Sequence, residues 1–127
     1  MTVIAYADCP AGAAGDMILA AFLDLGLPLE HLKNELTKLD LTGYELETRI
    51  ETRQSLAGRC FKVIVAPQDQ HRRFTDIQSL ILGSGLSQAV KDKALAVFET
   101  LAKAEGRMHN VRPDLVHFHE VGAVDSI

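Results

Sequence analysis

The sequence predicts an α+β fold, and three observations support this class. Apolar and charged residues alternate over residues 44–53, which indicates a strand with one covered face. A second alternating run over residues 59–66 follows a loop at residues 54–58, so the two runs predict an antiparallel hairpin. Apolar residues at helical spacing fill the segments on both sides of this hairpin. A one-sided hairpin flanked by helices favours α+β over a doubly wound parallel sheet.

The segments before the hairpin predict one strand and two helices. The β-prone run at residues 3–8 predicts the strand, which leads through a glycine loop into a helix at residues 15–25. Because this helix is apolar nearly all round, we expect it to be buried. Pro28 introduces a second helix at residues 29–39, with His31 on its solvated side.

The segments after the hairpin predict two helices and a possible last strand at residues 115–120. Thr75 is the expected cap of a helix that runs to residue 82, and Ser87 opens the longest helix, which runs to residue 107. The apolar stripe expected on this long helix consists of Val90, Ala94, Val97, Phe98 and Leu101. The whole order resembles a split βαβ, or ferredoxin-like, sandwich in which each crossover helix is doubled.

Length and charge narrow the class of protein. The 127 residues, of which 47% are hydrophobic, are enough for one domain over residues 1–127 with a real core. A formal net charge of −4 gives no general attraction to nucleic acid, so we expect no nucleic-acid partner. No apolar run approaches the roughly 20 residues that span a bilayer, and the start has no leader pattern, so we expect a cytoplasmic protein without membrane contact. Cys9 and Cys60 are too few for a disulfide scaffold.

The final stretch carries the strongest signal for chemistry. His117, His119, Glu120 and Asp125 supply imidazoles and carboxylates, the groups that suit zinc, nickel, iron or manganese. If the segment is extended, His117 and His119 point to one face roughly 7 Å apart, at about 3.3 Å of rise per residue, and could share one ion. If it is helical, the two imidazoles diverge. His109 could complete a site, although a histidine settled at a helix end is the simpler interpretation.

The loop before the first helix is a second candidate site. Gly12 and Gly15 precede the helix, where free backbone amides can cradle a phosphate. Asp16 would repel a phosphate unless a metal bridged them, whereas Asp8 and Asp16 together could hold such a metal. The alternative is a tight turn into a core helix with Asp16 as its cap. His71, beside two arginines, could contact an anionic ligand or belong to a solvated basic tip.

Three segments together resemble one known family. Residues 117–127 read His-Phe-His-Glu-Val-Gly-Ala-Val-Asp-Ser-Ile, residues 7–17 read Ala-Asp-Cys-Pro-Ala-Gly-Ala-Ala-Gly-Asp-Met, and residues 71–77 read His-Arg-Arg-Phe-Thr-Asp-Ile. We call them, in that order, the final, first and central blocks. Each is similar to a signature of the nickel insertion proteins of the lactate racemase cofactor pathway, and the three occur in the family's order.

The resemblance implies a function and roles for residues. Members install nickel between two sulfurs and a ring carbon of pyridinium-3,5-bisthiocarboxylic acid mononucleotide, with CTP hydrolysis and manganese or magnesium in support. It implies that His117 and His119 bind metal, and that Glu120 or Asp125 acts as the base or orients the ligands. The implied nucleotide or metal contacts are Asp8, Gly12, Gly15, Asp16 and His71.

Members of the family are considerably longer than this chain and carry a separate carboxy-terminal domain that binds nucleotide. The chain therefore resembles the front portion of a larger protein, and we expect it to be inactive alone. The expected partners are the mononucleotide and the missing domain, with a homo-oligomer as a possibility. Two other classes stay open. A metal-dependent hydrolase would use the same groups to activate water, and a non-catalytic metal-binding or interaction domain would need only the histidines or none.

Overall fold

The computed structural model describes residues 2–10, 12–65, 72–118 and 126–127. Within them the α+β class is confirmed, since helices flank one antiparallel hairpin. The elements are α1 (Gly15–Asp24), α2 (Leu29–Leu36), β1 (Tyr44–Arg53), β2 (Leu56–Val65), α3 (Phe74–Gly83), α4 (Gln88–His109) and a short 3-10 helix at Pro113–Leu115. Among these described helices, none combines the length and apolarity needed to cross a membrane.

The hairpin is longer and its turn tighter than the sequence pattern predicts. Strands β1 and β2 pair antiparallel from Tyr44 opposite Val65 to Arg53 opposite Leu56. The turn consists of Gln54 and Ser55, whose φ angles are 48° and 67°. Positive φ at both central residues is the mark of a type I′ turn, which usually contains asparagine or glycine. The predicted loop at residues 54–58 was wrong because Gln-Ser lacks that signal.

One face of the hairpin packs against α1 and forms a first core. Phe61 of β2 is fully buried against Ala20 and Leu23 of α1. The partly buried residues that surround this hairpin core are Leu19, Leu27, Leu29, Leu32, Leu46 and Val63. The expectation of a buried α1 was wrong, because in the described chain the hairpin covers only the side that carries Ala20 and Leu23. The side of α1 that carries Ile18 and Phe22 is about half exposed.

The strand predicted at residues 3–8 is absent, since residues 2–10 form neither helix nor strand. A strand needs a neighbour for its backbone N–H and C=O groups, and the described strands pair only with each other. The strand predicted at residues 115–120 is reduced, within its described part, to a 3-10 turn and an isolated bridge at His117. The described residues thus contain the second and third strands of the predicted chain order, but not the first strand.

A second core lies between α3, α4 and residues 116–118. We call it the helix core, and its buried members are Phe74, Ile77, Ile81, Phe98, Ala102, Val116 and Phe118. The Phe118 ring meets Phe74 edge-on with centroids 6.4 Å apart, and its centroid lies 6.3 Å from that of Phe98. The stripe expected on α4 was partly wrong, because Val90 and Val97 are exposed. The buried side of α4 is instead the row Phe98, Ala102 and Gly106, spaced four residues apart.

The caps of α3 and α4 agree only in part with those that the sequence predicts. Helix α3 begins one residue before Thr75, and its N-cap is Arg73, whose backbone N–H donates to Asp76 Oδ2 at 2.9 Å. The cap predicted at Thr75 was therefore wrong, and Asp76 stabilises the helix start instead. Ser87 is the N-cap of α4 as predicted, and the C-cap of this helix is Asn110, which takes a left-handed conformation with φ of 54°.

The charged outer face of β1 is solvated, as expected. Arg49 Nε donates to Glu51 Oε1 at 2.8 Å, and its guanidinium also donates to Glu47 Oε1 at 3.1 Å. These hydrogen bonds hold the pKa of Glu51 below, and the pKa of Arg49 above, their ordinary values. A lowered carboxyl pKa adds stability above the ordinary pKa of glutamate, and that stability is lost as pH falls through the lowered value.

Gly106 of α4 packs closely against the backbone that follows the helix. A Cβ built on Gly106 would lie 2.7 Å from the carbonyl oxygen of Val111, which is backbone that must move. We expect Gly106→Ala to lower the free energy of unfolding by about 1–3 kcal/mol, because overpacking outweighs the better helix propensity of alanine. Gly83→Ala is the matched control, since a Cβ at this helical glycine meets nothing within 4 Å. Urea denaturation measures both, and a Gly106→Ala variant as stable as the wild type would contradict the packing.

Candidate functional site

The structure joins the central block to the final block through the backbone. The Phe74 N–H donates to the Val116 carbonyl at 3.2 Å, and the Phe118 N–H donates to the Arg72 carbonyl at 3.2 Å. These two bonds frame an antiparallel bridge between Arg73 and His117. The start of α3 therefore fixes the position of His117.

The start of the final block, residues 117–118, is extended. Val116 and Phe118 are buried in the helix core, and His117 between them is exposed, which is the alternation of a strand. This is the condition under which the sequence argument places His117 and His119 on one face. His119 itself, together with Glu120, Asp125 and His71, lies outside the described residues. Their convergence with His117 stays a prediction.

The central block has a clear structural role. Phe74 and Ile77 are buried in the helix core, and Asp76 holds the start of α3. Together they hold in place the start of α3, to which the backbone on either side of His117 is hydrogen-bonded. Sequence reasoning did not find Arg73 as the bridge partner of His117, because backbone pairing between residues far apart in the chain leaves no local pattern.

The last two residues of the final block lie beside the first block. A cleft of about 700 Å³ has Gly15 and Asp16 on one wall and Ser126 and Ile127 on another. Ile127 also packs against the helix core. The remaining residues that line the cleft are Ala14, Leu19, Phe61, Lys62 and Val63. Parts of all three blocks are thereby connected, through the helix core and this cleft.

The cleft offers groups of both signs at the amino terminus of α1. Gly15 is the first residue of the helix and Asp16 lies in its first turn, with Asp16 Oδ1 accepting from the Met17 N–H at 2.8 Å. The N-cap is Ala14, so the interpretation of Asp16 as the cap was wrong by two positions. Lys62 of β2 lines the same cleft, although its alternating pattern had indicated only a solvated sheet face. A carboxylate can bind a cation here, and an amino group with helix amides can bind an anion.

Asp8 and Gly12 line a different cleft. Gly12 closes a tight turn, in which its N–H donates to the Cys9 carbonyl at 3.0 Å with φ of +86°, a value that favours glycine. Asp8 and Gly12 border a cleft of about 490 Å³ along α1. In the described parts of the chain, no three histidine, cysteine, aspartate or glutamate side chains form a group that could hold a metal. Asp8 and Asp16 therefore belong to no such group.

Among the described residues, His109 and the two cysteines do not line the cleft that contains Gly15 and Asp16. His109 is the last residue of α4, and its Nε2 lies 3.3 Å from Glu105 Oε2, which fits the interpretation of a histidine at a helix end. Neither cysteine in the described chain is bonded in a disulfide, with Cys9 exposed and Cys60 half-buried.

Comparison with known proteins adds independent information. A family model described as nickel insertion protein matches residues 5–127. A protein of Citrifermentans bemidjiense named for nickel insertion is 51% identical over 125 residues, which is 98% of this chain and 32% of the relative. Similarly named proteins of Syntrophobacter fumaroxidans and Synechococcus elongatus are 51% and 46% identical over 97% and 100% of this chain, or 31% and 32% of the relatives. The chain thus spans about a third of the length of the relatives it matches, and no solved structure matches it.

Proposed function

The chain belongs to the nickel insertion protein family, and from that premise we propose that it serves in the insertion of nickel into pyridinium-3,5-bisthiocarboxylic acid mononucleotide. Nickel is here a substrate, and the product is the nickel-pincer cofactor. The observation that carries the proposal is the pairing of the central block with His117, which presents an exposed imidazole on a rigid base. An insertion site needs a metal donor held in place in this way.

His117 and His119 are the proposed nickel donors. Imidazole nitrogen suits nickel, which it binds in its neutral form. The flanking residues support this role, since buried Val116 and Phe118 leave His117 little freedom to move away.

The insertion also needs a base. As nickel bonds to the ring carbon, the C–H bond at that carbon breaks and its proton must be accepted by a nearby group. We propose the carboxylate of Glu120 or Asp125 for this role, or for orienting the imidazoles, because both follow the histidines within a few residues.

The mononucleotide is proposed to bind at the cleft beside α1. The amides at the amino terminus of α1 and the amino group of Lys62 can attract its phosphate, while Asp16 can attract a cation that accompanies it. Asp8, Gly12 and His71 stay proposed contacts on the strength of the family resemblance alone.

The family resemblance further implies CTP with manganese or magnesium. Among the described residues, no three suitable side chains form a group that could hold that cation without ligands from elsewhere. We propose that the part of the relatives outside the match carries this requirement.

The decisive test is an insertion assay. We expect the 127-residue chain alone to form no nickel-containing product from the mononucleotide, nickel and CTP, and to form it when the rest of the Citrifermentans bemidjiense protein is added. Zinc binding with esterase or phosphatase activity would instead favour the hydrolase. Product formation by the chain alone would contradict the expected inactivity, and no product in either mixture would contradict the proposed reaction.

A further inference from the structure

The strongest unexplained feature of the molecule is an uncovered apolar surface on α1. Met17, Ile18, Phe22 and Leu25 are 56%, 48%, 48% and 82% exposed. We call these four residues the α1 apolar face. Ile18, Phe22 and Leu25 follow the spacing that places residues on one side of a helix, opposite the buried Ala20 and Leu23.

The surface continues from α1 onto the amino-terminal segment. Val3, Ile4 and Tyr6 are 84–88% exposed. Tyr6 also borders the cleft of about 490 Å³ that runs along the α1 apolar face. Clustered apolar side chains of this size on one side of a small domain indicate a contact surface rather than scattered exposure.

Charge argues against a second copy as the occupant. Asp16 and Asp24 stand near the two ends of α1, so two-fold related copies would bring Asp16 of one chain towards Asp24 of the other. Arg59 offsets only Asp24, at 3.4 Å. Like charges facing one another disfavour such a pairing.

The relatives suggest a different occupant. The match covers 98% of this chain, so α1 lies within the shared region, yet about two thirds of each relative lies outside it. We propose that the α1 apolar face is the docking surface for the part of the nickel insertion proteins that lies outside the matched region. The proposal rests on family membership and exposure and is independent of which residues bind nickel.

Calorimetric titration tests the docking. The probe is the part of the Citrifermentans bemidjiense protein outside the match, produced as a separate polypeptide, and that protein's own matched third is the positive control. We expect a one-to-one complex with the wild-type chain. Phe22→Asp and Leu25→Asp should each weaken it at least tenfold, because each places a charge in an apolar contact.

A matched control separates the face from apolar exposure in general. Val97→Asp changes an apolar residue on a different helix, α4, that is 60% exposed, and it should bind like the wild type. Circular dichroism confirms folding, and Leu25, the most exposed of the four, serves if Phe22→Asp does not fold. Absence of binding by the wild type, unchanged binding by the folded face variants, or a homodimer that the face variants abolish would each overturn the proposal.

Discussion

Replacing Phe118 with alanine should lower the free energy of unfolding by about 3–5 kcal/mol. Phe118 is completely buried and contacts the rings of Phe74 and Phe98, so its removal leaves a cavity at the centre of the helix core. Small domains have only about 5–15 kcal/mol of stability in total. The variant should therefore be partly unfolded at moderate temperature, which thermal and urea denaturation can measure.

Phe22→Ala is the matched control for this prediction. Phe22 has the same side chain but is about half exposed on α1, so we expect its truncation to cost about 1 kcal/mol.

Phe118→Ala should also weaken nickel binding, because Phe118 anchors the segment that holds His117. If the two truncations cost the same, Phe118 does not anchor the final block.

Replacing His117 with alanine should weaken nickel binding by at least about tenfold, which corresponds to about 1.4 kcal/mol. The proposed site would lose one of its two nitrogen donors. The same substitution should leave the free energy of unfolding nearly unchanged, because the His117 side chain is exposed. Calorimetric titration with nickel, manganese and zinc measures the affinities.

His31→Ala is the control for the nickel measurement. His31 is an exposed histidine on α2 that is not among the proposed ligands, so its removal reports any non-specific binding by surface imidazoles. An equal loss of affinity in both variants, or none in either, would remove His117 from the nickel site.

Much of the fold follows from periodicity in the sequence. The hairpin was predicted because alternation over residues 44–53 is long and regular, and the helices because their apolar spacing is clear. Burial was predicted less well. The apolar composition of α1 indicates a covered helix, but composition does not show that the hairpin covers only the side with Ala20 and Leu23. The turn at Gln54 and Ser55 was missed because its residues carry no signal for positive φ.

The candidate site was predicted as a set of residues but not as an arrangement. The sequence singled out Asp16 and His117, yet the contacts that organise them are non-local. Arg73 pairs with His117, and Ile127 lies in the cleft beside Asp16. Neither contact has a fixed spacing in the chain, so only the fold reveals them. Lys62 was not predicted to line this cleft, because a charged residue on a strand indicates solvent exposure in most proteins.

X-ray absorption spectroscopy of the nickel-loaded protein shows whether the two histidines of the final block bind nickel. We expect imidazole scattering around nickel in the wild type and its loss when His117→Ala and His119→Ala are combined. Identical nickel spectra for the wild type and this double variant would show that neither histidine binds the metal.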